Sequence, residues 1–251
     1  MKDFSFNGKV YIGTRLASGK PGVLRWVDDA SQLQIKLTTD NEERQESYSG
    51  NRLTSVRLQK AKKAEFSLTL NAFSKLNLAL ALYATPVDVT SGTVASEALP
   101  TGLVAGDIVA LDHRDISALV IKDSAGTPAT LVKDTDYSEE SLPGGLVKII
   151  NVGTYVQPFT AAYSYAAGVR VPMFTSTIPE QYIVLDGINT VDGSRARVEL
   201  FRGVFDPASQ LDMITDALSS LQLNGSVLYD SVNAADANMG GFGRISLPPE
   251  A

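Results

Sequence analysis

The sequence predicts a mainly β protein: a β-sandwich or barrel with one short helix packed on it, plus an inserted small all-β module. Three observations carry this. Ala64, Phe66, Leu68 and Leu70 alternate with Glu65, Ser67, Thr69 and Asn71, and a period of two marks a half-buried strand. Residues 75–84 are nearly all Leu and Ala, and Ser74 stands where a helix cap belongs, so helix is preferred to strand there. At Pro86 the composition shifts: residues 86–170 are richer in Gly, Pro, Ala and Thr, with short branched runs between turn residues. The division expected is a main domain from residues 1–85 and 171–251, interrupted by a module over 86–170.

Along the main domain, residues 1–8 are polar with two aromatic rings, Phe4 and Phe6, an end pinned by those rings or frayed. Residues 10–12 and 23–27 read as short strands. Leu33, Ile35 and Leu37 alternate with Gln32, Gln34, Lys36 and Thr38, the clearest strand of the first third. Residues 39–52 then form a polar stretch whose only large apolar side chain is Tyr48, read as a long loop. Long loops in compact domains are functional or mobile, and Asp40, Glu42, Glu43 and Glu46 beside Arg44 and Arg52 suit a polar contact with a partner. Residues 53–58 have strand character, and the basic run 60–63 reads as an exposed turn before the strand 64–70. In the helix, Leu76, Leu80 and Tyr83 share a face, widened by Leu78 and Leu82. A helix apolar on most sides must be covered on most sides.

Within the module, residues 107–111, 118–122, 129–133, 146–150 and 160–165 read as strands, with a turn at Pro143-Gly144-Gly145. The main domain resumes with a buried run at 182–185 and a hairpin turn at Asp192-Gly193. Arg197 and Glu199 alternate with Val198 and Leu200, and Phe205-Asp206-Pro207 breaks that strand. Residues 211–218 suggest a helical turn. Residues 221–229 bring back strand character around Asn224-Gly225. The tail, 238–251, carries Phe242 among closely spaced glycines and reads as an arm.

Size and composition set limits on function. A chain of 251 residues can bury a substantial core. A net charge of -6 and a pI near 4.9 argue against a protein that grips nucleic acid by its phosphates. With no cysteine, disulfides, thiol catalysis and cysteine metal sites are excluded. The start of the sequence has no apolar signal core, and the longest apolar run, within 78–84, is too short to cross a bilayer. The expectation is a protein made in a cytoplasm that stays soluble or joins an assembly.

No stretch assembles a catalytic or cofactor site. The single histidine, His113, has no second histidine to share a metal and reads as a surface turn residue. Asp134, Asp136, Ser138 and Glu140 alternate as in a calcium loop, but the sixth position is Glu139 and the twelfth is Gly145, so a turn is the better reading. Residues 13–20 have the wrong spacing for a phosphate loop, with Pro21 where Ser or Thr is needed. Asn224-Gly225-Ser226 fits a glycosylation acceptor without a secretory signal to support its use. No carboxylate pair is marked for glycoside hydrolysis. Trp26 reads as a core or interface anchor.

Several pieces together resemble the major tail tube proteins of long-tailed bacteriophages. NGKVYIGTRLASGKPGVLRWV looks like their leading strands. LQIKLTT followed by EERQESYSGNR resembles their extended hairpin, and AEFSLTLNAFSKLNLALALYA is similar to their strand-then-helix segment. Residues 180–230 look like the closing strands. The match covers roughly residues 8–84 and 171–230, and 86–170 would be an external decoration. The resemblance implies a β-sandwich that forms hexameric rings stacked into a tube, the virion conduit for genome ejection, assembled in the bacterial cytoplasm. It implies no enzyme activity and no cofactor. Its partners would be other copies of itself and tail proteins such as tape measure, terminator and tip proteins, with genomic DNA passing without tight binding.

The resemblance assigns ring-to-ring bridging to the polar hairpin loop and the terminal arms. In this chain that points to Asp40, Glu42, Glu43, Arg44, Glu46, Tyr48 and Arg52, and to Phe4, Phe6 and Phe242 as arm anchors. The polar strand faces left for the lumen or the exterior carry Gln34, Lys36, Arg57, Gln59, Glu65, Ser67, Thr69, Arg197 and Glu199. A different class, a carbohydrate-binding or carbohydrate-cleaving β protein, would need an aromatic platform or a carboxylate pair in a groove. One tryptophan and scattered tyrosines make a thin case for it.

Overall fold

The computed structural model describes residues 3–177 and 179–249. The outermost residues of both expected arms, 1–2 and 250–251, lie outside that set. The chain is mainly β. In order it forms β1 (Phe6–Thr14), β2 (Arg25–Trp26), β3 (Ala30–Gln45), β4 (Thr54–Leu70), α1 (Lys75–Leu82), β5 (Val87–Val89), β6 (Gly92–Ala98), β7 (Ile108–Ala110) and β8 (Ile116–Lys122). There follow β9 (Tyr137–Ser141), β10 (Leu146–Ile149), β11 (Thr160–Tyr165), β12 (Gly168–Arg170), β13 (Gln181–Asn189), β14 (Arg195–Phe205), β15 (Leu221–Val227), α2 (Ser231–Ala234) and β16 (Gly243–Ser246). Two compact units result: residues up to Pro86 together with those from Val171, and Val87–Arg170.

The first unit is built on one antiparallel sheet in the order β2-β1-β13-β14-β15-β4-β3. β14 is shared: its end pairs β15 at residues 203–205, and its earlier part pairs β16 at residues 197–200. The alternation read from residues 64–70 is realised. Ala64, Phe66, Leu68 and Leu70 are buried with Val10, Ile12, Ile183, Leu200, Phe205, Leu221, Leu223 and Val227. Phe66 and Phe205 meet edge-on at 4.9 Å, the arrangement aromatic quadrupoles favour. Gly225 is inside β15. A Cβ there would lie 2.5 Å from the Phe66 ring, so the glycine makes room for that side chain.

Helix α1 covers part of this core. Ser74 Oγ accepts from the Asn77 N–H at 3.4 Å, and Tyr83 ends the helix in a left-handed conformation, φ 50°. The buried face differs from the one expected. It carries Asn77, Leu80 and Ala81, while Leu76 is 45% exposed. Asn77 decides the rotation. Its side chain donates to Val27 O at 2.9 Å and accepts from Arg25 at 3.1 Å, and such a polar tie holds a buried amide only when it is satisfied.

Other expectations are corrected. The basic run 60–63 is not a turn, because β4 runs through it unbroken against β3. The first half of the expected loop 39–52 is strand, and the hairpin turns only between Gln45 and Thr54. Cross-strand ion pairs stabilise that polar ribbon where an apolar pattern is missing. Residues 211–218 form no helix. The tail is not a free arm: β16 joins the sheet, and Asp230 caps α2.

The second unit, Val87–Arg170, has its own core, with Leu119, Ile121, Val147, Ile149, Phe159, Ala161 and Tyr163 at its centre. Its strands form sheets β7-β10-β9 and β6-β11-β8 and the ribbon β12-β5. Residues 129–133 are not a strand, since they make only isolated bridges from Thr130 and Lys133. His113, expected at the surface, is half-buried. It stacks on Tyr165 at 3.7 Å and hydrogen-bonds the Tyr163 hydroxyl at 3.1 Å. The unit's ends are adjacent, because Val87 pairs with Arg170, and paired Cα atoms lie only about 5 Å apart. Replacing residues 87–170 by a short Gly/Ser linker is therefore expected to leave the first unit folded. A cooperative unfolding transition in the excised chain checks this, and loss of soluble folding contradicts it.

Candidate assembly surface

The longest feature of the first unit is the β3–β4 ribbon. Its root is packed: Leu33 pairs with Leu68 and Ile35 with Phe66. From Thr54 to Lys63 nearly every side chain of β4 is exposed, as is the facing part of β3. The ribbon thus leaves the core as an arm. Charges hold it across the strands. Lys63 pairs with Asp40 at 2.8 Å, Lys60 with Glu42 at 2.5 Å, Arg57 with Glu43 at 3.6 Å, and Lys36 with Glu65 at 3.2 Å. Exposed pairs of this kind are screened by water and add little stability. They fix register more than they add stability.

Asp40, Glu42 and Glu43 are therefore committed within the arm. Glu46, offered from the sequence as a contact residue, is also used internally. It is 8% exposed. It accepts from the backbone N–H of Tyr48 at 2.9 Å and Ser49 at 2.8 Å and from the Ser49 hydroxyl, closing the tip. The Ser49 hydroxyl and the backbone donors hold its carboxyl down at about 2. Free for a partner are Tyr48, 89% exposed, and Arg44 and Arg52, which have no acidic partner among the described residues.

A bulge reorganises the faces of the arm. Asp40 pairs with Ala61 but Asn41 with Gln59, so Lys60 is the extra residue. Paired residues share a face. Gln34, Lys36, Glu65, Ser67 and Thr69 share the polar face, continued by Asn224 and Ser226 on β15. Arg57 and Gln59, grouped with them by odd numbering, fall on the opposite face. Val56 and Leu58 take the places expected for them and are 49% and 57% exposed. Counting residues along β4 cannot reveal this, because an inserted residue leaves no mark in a polar run.

Glu199 is the largest departure among the predicted polar-face residues. It is 1% exposed. Tyr182 Oη donates to it at 2.8 Å, Arg197 lies at 2.9 Å, and Arg244 of β16 completes the set. Burial alone would raise this carboxyl, but the hydrogen bonds from Arg244 and Tyr182 and the charge of Arg197 hold it below the usual range. The tail covers that face, Met239 packing on Tyr182, Val184 and Phe201. Arg197 itself stays exposed at the rim.

The arm anchors separate in the same way. Phe4 is 72% exposed, with its ring 5.8 Å from Phe6. Phe6 lies in β1. Phe242 packs against the unit's own core and meets Tyr229 at 6.0 Å.

A second polar cluster, not anticipated, ties the chain's beginning to its end. Arg15 binds Asp230 through two bonds of 2.9 Å, and the fully buried Asp230 also accepts from Val232 N, Asn233 N and Asn233 Nδ2. The sequence signal was Asp230 as a helix cap three residues before Asn233. Among the described residues no group of His, Asp and Glu is placed to hold a metal ion. No curated protein matches the sequence. The model of a family described as "Protein of unknown function UCP028589" matches residues 3–246, more than half of the chain, and the chain belongs to that family.

Proposed function

We propose that this chain is a structural subunit that assembles with copies of itself into stacked hexameric rings, forming the tube through which a phage genome is ejected. The observation that carries this reading is the β3–β4 arm. A two-stranded ribbon in water is marginal by itself, yet this one extends well beyond its core and exposes Tyr48, Leu53, Val56 and Leu58. The outer edge of β3 has no strand partner among the described residues. Such an edge is a template for pairing with another chain. An arm and an edge of this kind favour a building block over an isolated domain. Ring symmetry rests on the sequence resemblance.

The polar strip Gln34, Lys36, Glu65, Ser67 and Thr69 suits a wall past which DNA slides. Its one cation, Lys36, is paired with Glu65, so few counterions would be released on contact with phosphate. Tape measure, terminator and tip proteins are the partners expected at the ends of such a tube. Electron microscopy of the purified full chain tests the reading. Tubes or stacked rings are the expected result. Uniform monomers at every concentration would contradict it.

A further inference from the structure

We infer that the receiving surface for the arm is the segment 206–220 of a second copy, basic and apolar tip against acidic and apolar segment. This rests on the arm-mediated assembly proposed above and names its partner surface.

Residues 206–220 form an acidic stretch of the first unit with exposed apolar side chains. They include Asp206, Asp212 and Asp216 and no basic residue. They lack regular structure from 206 to 220, yet Met213, Ile214 and Leu218 are 69%, 98% and 103% exposed. The local sequence asks for more order than this. Ser209 and Asp212 have capping-box spacing. Leu211, Ile214 and Leu218 recur at helical intervals. A helix there would need a cover for its apolar side; Leu211 packs on the unit's core, but among the described residues Met213, Ile214 and Leu218 are left exposed. Beside the segment lies an open recess of about 250 Å³ lined by Leu70, Ala72, Phe73, Leu211 and Leu221.

The arm tip is the complement. Tyr48, Leu53, Val56 and Leu58 are exposed and apolar, and Arg44 and Arg52 beside them lack acidic partners. Opposite charges across such a contact steer and orient association.

Geometry excludes a contact within one molecule. The recess begins at Leu70, one end of β4, and the tip lies beyond Thr54, its other end. Seventeen strand residues span about 55 Å. Tip and segment are at opposite poles of one strand, so they can meet only between copies. Such a head-to-tail contact closes into a ring where its rotation closes and otherwise repeats as an open stack; between successive rings it gives the stack proposed here.

The test compares assembly thresholds of full-length chains by sedimentation. Arg44→Glu with Arg52→Glu, and separately Asp212→Lys with Asp216→Lys, should each raise the concentration needed for assembly about tenfold or more. Combining all four substitutions should restore it. Ile214→Ser with Leu218→Ser changes only exposed side chains and should act like the segment charge variant without altering the fold. Mixing the arm variant with the Ile214→Ser, Leu218→Ser variant should give short complexes but no long stacks. Normal assembly of both segment variants, with the arm variant defective, would overturn this inference and leave assembly through the arm standing. Failure of the fourfold exchange to restore assembly would also overturn it. A wild-type chain that never assembles would overturn the assembly reading itself, and this inference with it.

Discussion

Replacing residues 41–60 by an Asn-Gly turn is expected to give a folded, soluble protein that forms no tubes. Asp40 and Ala61 are directly paired in the ribbon, so a two-residue turn can join them with the twist the strands already have. The removed residues are exposed apart from Glu46, whose hydrogen bonds stay within the tip. Among the described residues none of them belongs to the unit's apolar core. Stability should change by less than about 1 kcal/mol, as for surface changes away from packed features. Assembly, by contrast, should be lost completely. Circular dichroism and thermal melting check the first claim and electron microscopy the second. Tubes of normal length from the shortened chain would show that the arm does not bridge copies.

Asp230→Ala is expected to be the most damaging single substitution outside the apolar core. It strands the Arg15 guanidinium, whose side chain is 14% exposed, and removes the cap of α2 and a partner of Asn233. Breaking one side of a buried ion pair costs about 3–5 kcal/mol. In a unit of this size that lowers the melting temperature by roughly 10 °C. Asp230→Asn keeps an oxygen for the cap and should cost less. The pH dependence has a definite sign. The Arg15 hydrogen bond, against a smaller opposing effect of burial, holds the Asp230 carboxyl at about 2, below the unfolded value of about 3.9. Its contribution is complete above about pH 4 and is lost as the pH falls toward 2. The melting difference between wild type and Asp230→Ala should therefore shrink across that window. A difference unchanged from pH 6 to pH 2.5 would contradict the role given to the pair.

The core of the first unit was legible because burial imposes a period. Ala64 to Leu70 alternate in sequence, and the structure buries the expected members. Helix α1 was legible from Ser74 and the Leu/Ala run, but its rotation was not. A buried amide, Asn77, sets it, and apolar periodicity says nothing about amides. The arm was the most misleading stretch. Residues 53–58 show strand character through Val56 and Leu58, but 39–45 and 59–63 are polar, so no periodicity marks them and they look like a loop and a basic turn. Only the pairing of acidic 40–43 with basic 57–63 could have shown a ribbon, and the bulge at Lys60 hides even that register. Glu199 was misplaced for a different reason. Its own strand alternates correctly, but the cover on its outer face comes from the tail, residues 236–244, far away in sequence. A still larger separation, 215 residues, hides the pairing of Arg15 with Asp230.

Proper placement of the polar strip matters most for the claim that the assembled protein is a conduit. A cryo-electron microscopy reconstruction of the tubes formed by the full chain tests that claim most directly. An open central channel is expected, with the arms running between successive rings and the segment 206–220 ordered beneath each arm tip. A solid filament, or a closed oligomer whose arms point away from every neighbouring copy, would contradict it.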